Sequence, residues 1–191
     1  MNSLPTCFVL GETGVGKSNF INAITQSNEC KTSNGPYSCT KNCKLVKTVL
    51  GNETFQFVDT PALDDDVDKE KVINEIKNEV SKYSNIKFLF ILMNFHSRIS
   101  RGLIENIKIY MKIFPFYDFW NHVIIIFTNS YEGRGNRKDE VLANLKNSMK
   151  YINIDLPPHI PIYFVDLGKD REEIWRRELG AIEFILKNGL K

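Results

Sequence analysis

Residues 11–18 read GETGVGKS. The stretch fits the pattern G-x-x-x-x-G-K-[ST], whose constrained positions are Gly11, Gly16, Lys17 and Ser18. An apolar run at 4–10 predicts a buried strand before it, and residues 19–25 predict a helix after it. A strand, a glycine-rich turn and a helix in this order predict a phosphate-binding loop, with an ordinary glycine-rich turn as the alternative.

Glycine has a specific use in such a loop. Successive backbone N–H groups can point at one phosphate only in conformations that a Cβ atom would hinder. The following helix adds the positive end of its dipole. We expect Lys17 to reach the β- and γ-phosphates and the Ser18 hydroxyl to ligate Mg²⁺. The predicted phosphate-binding residues are Gly11, Glu12, Thr13, Gly14, Val15, Gly16, Lys17, Ser18 and Asn19. The motif does not distinguish ATP from GTP.

The rest of the chain alternates short apolar runs with amphipathic stripes. Runs at 43–50, 53–59, 87–93, 123–127 and 162–165 predict further strands, and Gly51-Asn52 predicts a hairpin turn. Stripes at helical spacing, starting near residues 69, 103, 141 and 175, predict helices. This alternation predicts an α/β three-layer sandwich, in which helices flank a mainly parallel six-stranded central sheet. Ligands bind such sheets at the carboxyl ends of the strands.

Length and composition favour one globular domain. The chain has 191 residues, 42% of them hydrophobic and 25% charged, which predicts a single domain over residues 1–191. A net charge of +2 gives no reason to expect nucleic acid as a partner. No apolar run approaches the roughly 18 residues of a membrane span, and no signal peptide is recognisable. We therefore expect a cytoplasmic protein, with peripheral membrane association as an open alternative.

Two further positions complete a predicted magnesium site. The apolar strand that leads into VDTPAL places the carboxylate of Asp59 beside the loop, where it can hold Mg²⁺ through water. Thr40 is the candidate for a sensing loop, since a hydroxyl there can bind Mg²⁺ while the γ-phosphate is present. By spacing alone, Thr32, Ser33 and Ser38 compete with Thr40. The predicted metal ligands are Ser18, Thr40 and Asp59.

The stretch TNSYE is the candidate segment for reading the base. Asn129 and Glu132 have an N-x-x-acid spacing that suits guanine, whose N1–H and exocyclic amine can both donate to the carboxylate. Adenine offers no such donor pair. The acid is glutamate rather than the usual aspartate, and Ser130 replaces the usual lysine. A solvated loop is the alternative interpretation.

Together these motifs resemble the immune-associated nucleotide-binding GTPases (the avirulence-induced-gene, or IAN/GIMAP, group), relatives of the chloroplast Toc receptors and the septins. The resemblance runs from GETGVGKSNFINAI through SCTKNCK, similar to the family's S-x-T-x-x-C, and DTPAL, similar to DTPGL. It continues through FLFILMNFHSRISRGLIENIKIY and WNHVIIIFTNSYE, to about residue 132. It implies the P-loop GTPase fold, GTP or GDP with Mg²⁺ as ligands, and hydrolysis of GTP to GDP.

The resemblance also implies roles for individual residues. Thr40 takes the place of the threonine in S-x-T-x-x-C, and Asp166 falls near the last base-contacting motif. Arg98 maps onto an arginine that, in some members, is implicated in catalysis across a GTP-dependent dimer; a surface arginine at a helix start is the alternative. The implied catalytic residues are thus Lys17, Thr40 and Arg98, and the implied partner is a second copy meeting the nucleotide face.

Two departures bear on the mechanism. Ala62 stands where the family has glycine, and Leu63 stands where small Ras-like GTPases place a glutamine that orients the attacking water. Leucine cannot hydrogen-bond water, so we expect slow hydrolysis by the monomer. One alternative is a GTP-binding, oligomerising scaffold with little or no hydrolysis. Another is an ATP-using P-loop enzyme, for which the sequence shows neither an arginine-rich lid nor an acceptor site.

Overall fold

Strands and helices alternate along the chain. The computed structural model describes residues 4–31, 40, 42–63, 68–130, 134–158, 160–166 and 172–189, including side chains other than those of 134–138 and 172–178. The strands are β1 (Thr6–Leu10), β2 (Lys44–Leu50), β3 (Glu53–Asp59), β4 (Ile86–Asn94), β5 (Val123–Thr128) and β6 (Ile162–Val165). The helices are α1 (Lys17–Thr25), α2 (Lys69–Val80), α3 (Arg101–Ile113), α4 (Arg134–Tyr151) and α5 (Glu172–Asn188).

All of these strands belong to one six-stranded sheet in the order β2-β3-β1-β4-β5-β6. β2 pairs antiparallel with β3, and the other four neighbouring pairs are parallel. The β2–β3 hairpin turns at Gly51, whose φ of 67° lies in the left-handed region that glycine adopts readily. The predicted mainly parallel sheet and its hairpin are confirmed.

Helices cover both faces of the sheet. Neighbouring residues of a strand point to opposite faces, and accordingly Phe8 and Val9 of β1 belong to two different buried clusters. The Phe8 cluster includes side chains from α2, α3 and α4, such as Ile76 and Leu145. The Val9 cluster includes side chains from α1 and α5, such as Ile182. This arrangement confirms the three-layer sandwich.

Some local features differ from the sequence prediction. A short 3₁₀ helix at Phe119–His122 precedes β5. Such an element is too short for the spacing of apolar residues to predict it. The apolar spacing 103, 107, 110 and 114 predicts a helix that includes Phe114, whereas α3 ends at Ile113 and Phe114 is a buried residue with extended backbone. Ser100 caps the start of α3 by accepting a hydrogen bond from Leu103 N at 2.9 Å.

Candidate nucleotide-binding site

The predicted site residues lie at one edge of the sheet. β1 is the strand at which the order reverses, with β3 on one side and β4 on the other. The glycine-rich loop follows β1, Asp59 ends β3, and Asn129 and Asp166 directly follow β5 and β6. Because β1, β3, β4, β5 and β6 run parallel, these positions share the carboxyl edge, where open α/β sheets bind ligands.

The glycine-rich loop has the backbone of a phosphate cradle. Gly11, Gly14 and Gly16 have φ values of 146°, 75° and 91°. Residues with a Cβ atom rarely adopt such positive φ values. A Cβ on Gly11 would lie 2.6 Å from the carbonyl oxygen of Leu92 in β4. Gly16 is the N-cap of α1 and supplies no side-chain cap, so the first N–H groups of the helix are available to an anion.

Lys17 is held against this loop. Its side chain is buried, and Nζ donates to the carbonyl oxygens of Gly11 and Glu12, each at 2.9 Å. The loop itself is tied to β5, because Thr128 Oγ1 donates to Val15 O at 2.8 Å. A fixed ammonium group beside several N–H groups is suited to a polyphosphate.

The three predicted metal ligands converge. Ser18 Oγ donates to Asp59 Oδ2 at 2.6 Å, and Thr40 Oγ1 donates to the same oxygen at 3.1 Å. The two hydroxyl oxygens lie 3.5 Å apart. Asp59 is 2% exposed, and its second oxygen, Oδ1, has no hydrogen-bond partner among the described residues. A buried carboxylate oxygen without a partner, next to two hydroxyl groups, fits a cation.

The chemistry of these donors favours magnesium. Oxygen ligands suit a hard cation, and the positions next to a phosphate loop suit one that also binds phosphate oxygens. Within the described part of the chain, no group of three or more His, Cys, Asp or Glu residues could hold a metal ion instead. The residues present therefore fit Mg²⁺, and we retain Ser18, Thr40 and Asp59 as its proposed ligands.

A cysteine lies next to this cluster. Asn22 of α1 holds the backbone of Cys30, accepting from its N–H and donating to its carbonyl oxygen, both at 2.9 Å. Burial, followed by the negative charge of Asp59, raises the pKa of the Cys30 thiol to about 12. Without a cation, the thiol is therefore protonated at neutral pH. Within the described residues, Cys7, Cys30 and Cys43 form no disulfide bond.

The base-reading candidates are described only in part. Asn129 is exposed and has a φ of 56°, a left-handed conformation that asparagine tolerates. Asp166 is buried at the end of β6. Glu132 lies outside the described residues, as do Thr32, Ser33 and Ser38. The proposed contacts of Asn129, Glu132 and Asp166 with a guanine base stay predictions.

The segment before α3 carries the candidate catalytic arginine. Arg98 is exposed between β4 and α3, two residues before the Ser100 cap. Ser100 Oγ donates to Glu12 Oε1 at 3.1 Å, which links this segment to the phosphate loop. Because Arg98 is exposed, it is accessible to a second molecule, and its proposed role in trans stays a prediction.

Three residues of the site were missed by the sequence reasoning. Thr128 and Ser100 each contact the phosphate loop, and Asn106 of α3 donates to the carbonyl oxygen of Leu63 at 2.9 Å. Ser100 had a signal, since serine before an apolar stripe is typical of an N-cap. Thr128 and Asn106 had none, because their contacts join segments that are far apart in the sequence.

Comparison with known proteins defines the class. The AIG1 family model matches residues 6–154. The chain therefore belongs to the AIG1 family, which confirms the resemblance found in the sequence.

Several proteins to which the chain is similar are components of chloroplast translocons. The chain is 33% identical over 128 residues to Translocase of chloroplast 125 of Physcomitrium patens. This match covers 63% of the chain and 11% of that protein. Toc33 from Arabidopsis thaliana, in complex with Mg²⁺ and GMPPNP, superposes with a TM-score of 0.71 at 19% identity, covering 100% of this chain and 87% of that one. At this identity the likeness concerns the fold alone.

A further structure is described as showing that dimerization is important for the GTPase activity of the chloroplast translocon components atToc33 and psToc159. It matches with a TM-score of 0.66 at 19% identity, over 88% of this chain and 72% of that chain. Among the described residues of the present protein, none of the helices has the length and apolarity needed to traverse a bilayer. The chain spans about a tenth of the length of the curated relatives it matches.

Proposed function

We propose that this protein is a Mg²⁺-dependent guanine-nucleotide-binding GTPase switch that hydrolyses GTP to GDP. The observation that supports this proposal most directly is that the Ser18 and Thr40 hydroxyls both donate to one oxygen of the buried Asp59, beside the phosphate loop. Membership of the AIG1 family supports this proposal, as does the Mg²⁺–GMPPNP complex of the structural relative Toc33. Under this proposal, residues 1–191 would act as a single GTPase (G) domain.

Each part of the site has a task in this reaction. The N–H groups from Gly11 to Asn19 bind the phosphates, and Lys17 supplies positive charge where negative charge increases during transfer. Mg²⁺, held by Ser18, Thr40 and Asp59, would neutralise further charge on the phosphates when bound. Asn129, Glu132 and Asp166 are the proposed contacts of the base. Release of Thr40 after loss of the γ-phosphate would provide the switch.

Leu63 takes the place at which small Ras-like GTPases have the glutamine that orients the attacking water. Leu63 is 1% exposed and packs in the core with α2 and α3, so its position offers no hydrogen bond to water. We therefore propose slow hydrolysis by the monomer and activation when two GTP-loaded subunits meet. The importance of dimerization for the GTPase activity of the translocon components atToc33 and psToc159 supports this proposal.

Turnover measured against protein concentration tests the proposed function. A dimer-activated GTPase gains specific activity as the concentration rises. A protein that binds GTP but shows no turnover at any concentration would be the oligomerising scaffold instead. Displacement of a labelled guanine nucleotide by ATP as readily as by GTP would favour an ATP-using enzyme.

Replacing Arg98 by alanine tests its role in trans. An arginine supplied by the partner is worth about 10³- to 10⁵-fold in turnover, so we expect Arg98→Ala to lower dimer-dependent turnover by about 10³-fold or more. Arg101→Ala is the matched control, because Arg101 is also exposed and begins α3. Unchanged turnover of Arg98→Ala, measured at concentrations where the wild-type protein is dimeric, would rule out this role.

Asp59→Asn tests the proposed metal site. The amide keeps the size of the side chain but removes the negative charge that faces Ser18 and Thr40. We expect the Mg²⁺ affinity of the nucleotide complex to fall about 10- to 100-fold, a typical cost of altering groups around a metal. Asp118→Asn, at an exposed aspartate before the 3₁₀ helix, is the control. Equal Mg²⁺ affinities for Asp59→Asn and wild type would contradict the assignment.

For cellular location we propose a cytoplasmic protein that associates peripherally with a membrane. Support comes from the translocase names of its curated relatives, although the match covers only 11% of each of those proteins. Fractionation of cells that express the full chain provides the measurement. Membrane association that resists high salt and alkaline washing would contradict a peripheral attachment.

A further inference from the structure

The segment that follows Asp59 is fixed at both ends by side chains of other elements. Thr60 Oγ1 donates to Val9 O of β1 at 2.7 Å. Leu63 O accepts from Asn106 Nδ2 of α3 at 2.9 Å. Thr60, Ala62 and Leu63 are all buried. The backbone between these two anchors, including the N–H of Ala62, is therefore held in one position relative to the phosphate loop.

Asn106 is a polar residue at a core position, where a polar side chain is unfavourable for stability. It is 2% exposed on a helix whose neighbouring positions, Ile104 and Ile107, belong to the hydrophobic core. Its amide nitrogen reaches Leu63 O, while its oxygen Oδ1 has no hydrogen-bond partner among the described residues. A buried acceptor without a partner lowers the free energy of unfolding. A protein with an apolar side chain at position 106 would therefore be at least as stable. The contact with Leu63 is the feature that an apolar side chain would lose.

The position of this contact relates it to the nucleotide. Leu63 is the fourth residue after Asp59, whose carboxylate accepts hydrogen bonds from Ser18 and Thr40 beside the phosphate loop. The resemblance of DTPAL to the family's DTPGL implies that the N–H of Ala62, which lies between Asp59 and Leu63, meets the γ-phosphate. GDP has no γ-phosphate, so a residue that orients this segment affects the triphosphate complex selectively. The Ser100 cap links the same helix to Glu12 of the phosphate loop, so α3 supports two sides of the site.

We propose that Asn106 is a positioning residue that fixes the segment 60–63 for the γ-phosphate and thereby sets the preference of the site for triphosphate over diphosphate. The inference rests on the proposed function, because it needs a site that binds both nucleotides. Asn106 acts through the Leu63 carbonyl and does not touch the nucleotide.

The test compares the affinities of GDP and a non-hydrolysable GTP analogue, both with Mg²⁺, for wild type, Asn106→Leu and Asn106→Ala. Leucine keeps the volume and removes the donor; alanine leaves space for water and serves if the leucine variant fails to fold. Losing one buried hydrogen bond to a backbone carbonyl predicts a loss of about 3- to 10-fold in analogue affinity. GDP affinity is expected to change less than about twofold.

Ile107→Val is the matched control, since it removes a buried methylene from the next position of α3 and leaves the Leu63 contact intact. It should lower thermal stability without changing the ratio of the two affinities. An unchanged ratio in both Asn106 variants, with the nucleotides still bound, would overturn the positioning role. Absence of binding by the wild-type protein would instead overturn the proposed function, so the two failures are distinguishable.

Discussion

Lys17→Ala is expected to lower the affinity for GTP by about 100-fold, because a charged donor to the phosphates is lost while its surroundings stay buried. Nζ is fixed by the Gly11 and Glu12 carbonyls, so the ammonium group needs little reorganisation to meet the β- and γ-phosphates. The measurement is equilibrium binding of a fluorescent GTP analogue. The fold should survive, because the two hydrogen bonds that Nζ donates, to Gly11 O and Glu12 O, end within the loop itself.

Lys47→Ala is the control for this experiment, since Lys47 is exposed on β2 and carries the same charge. Its affinity should match that of the wild type. A Lys17→Ala protein that binds GTP within about twofold of wild type would show that the loop does not hold the polyphosphate.

Gly11→Ala is expected to damage both folding and binding. The new Cβ would lie 2.6 Å from Leu92 O and 3.0 Å from Val15 Cγ2, and the φ of 146° is unfavourable for alanine. Because a backbone oxygen cannot move aside as a side chain can, the loop or β4 must shift. We expect a loss of about 2–4 kcal/mol in the free energy of unfolding, together with loss of nucleotide binding.

Chemical denaturation measures the first effect, and nucleotide binding at low denaturant measures the second. Gly180→Ala provides the contrast, because this glycine lies within α5 and a Cβ there would meet no atom of the described residues within 4 Å. Alanine should raise stability there by up to about 1 kcal/mol. If Gly11→Ala were as stable as Gly180→Ala, the close approach of the loop to β4 would be wrong.

The fold could be predicted from the sequence because its signals are local. Apolar runs marked each strand, stripes at helical spacing marked the helices, and Gly51-Asn52 marked the hairpin. The phosphate loop was equally accessible, since one contiguous motif contains all its residues. Asp59 could be placed because the carboxyl ends of parallel strands share an edge of the sheet.

Contacts between distant segments could not be predicted in the same way. Asn106 and Leu63 are 43 positions apart, and Ser100 and Glu12 are 88 apart, so the sequence pattern contains nothing that pairs them. Asn106 also interrupts an apolar stripe, and a sequence pattern alone does not show what such a polar residue contacts. The Cys30 thiol near Asp59 was unforeseen for the same reason: the turn after α1 sets its position.

The central claim is that the phosphate loop and the Ser18–Thr40–Asp59 cluster together bind a guanine nucleotide with Mg²⁺. Isothermal titration of the purified protein with GTP, GDP and ATP, with Mg²⁺ and again with a chelator, tests it most directly. We predict binding of GTP and GDP, weakened at least about tenfold by the chelator. We predict ATP binding at least about 100-fold weaker than GTP binding. A folded sample that binds no purine triphosphate at about 1 mM would contradict the account.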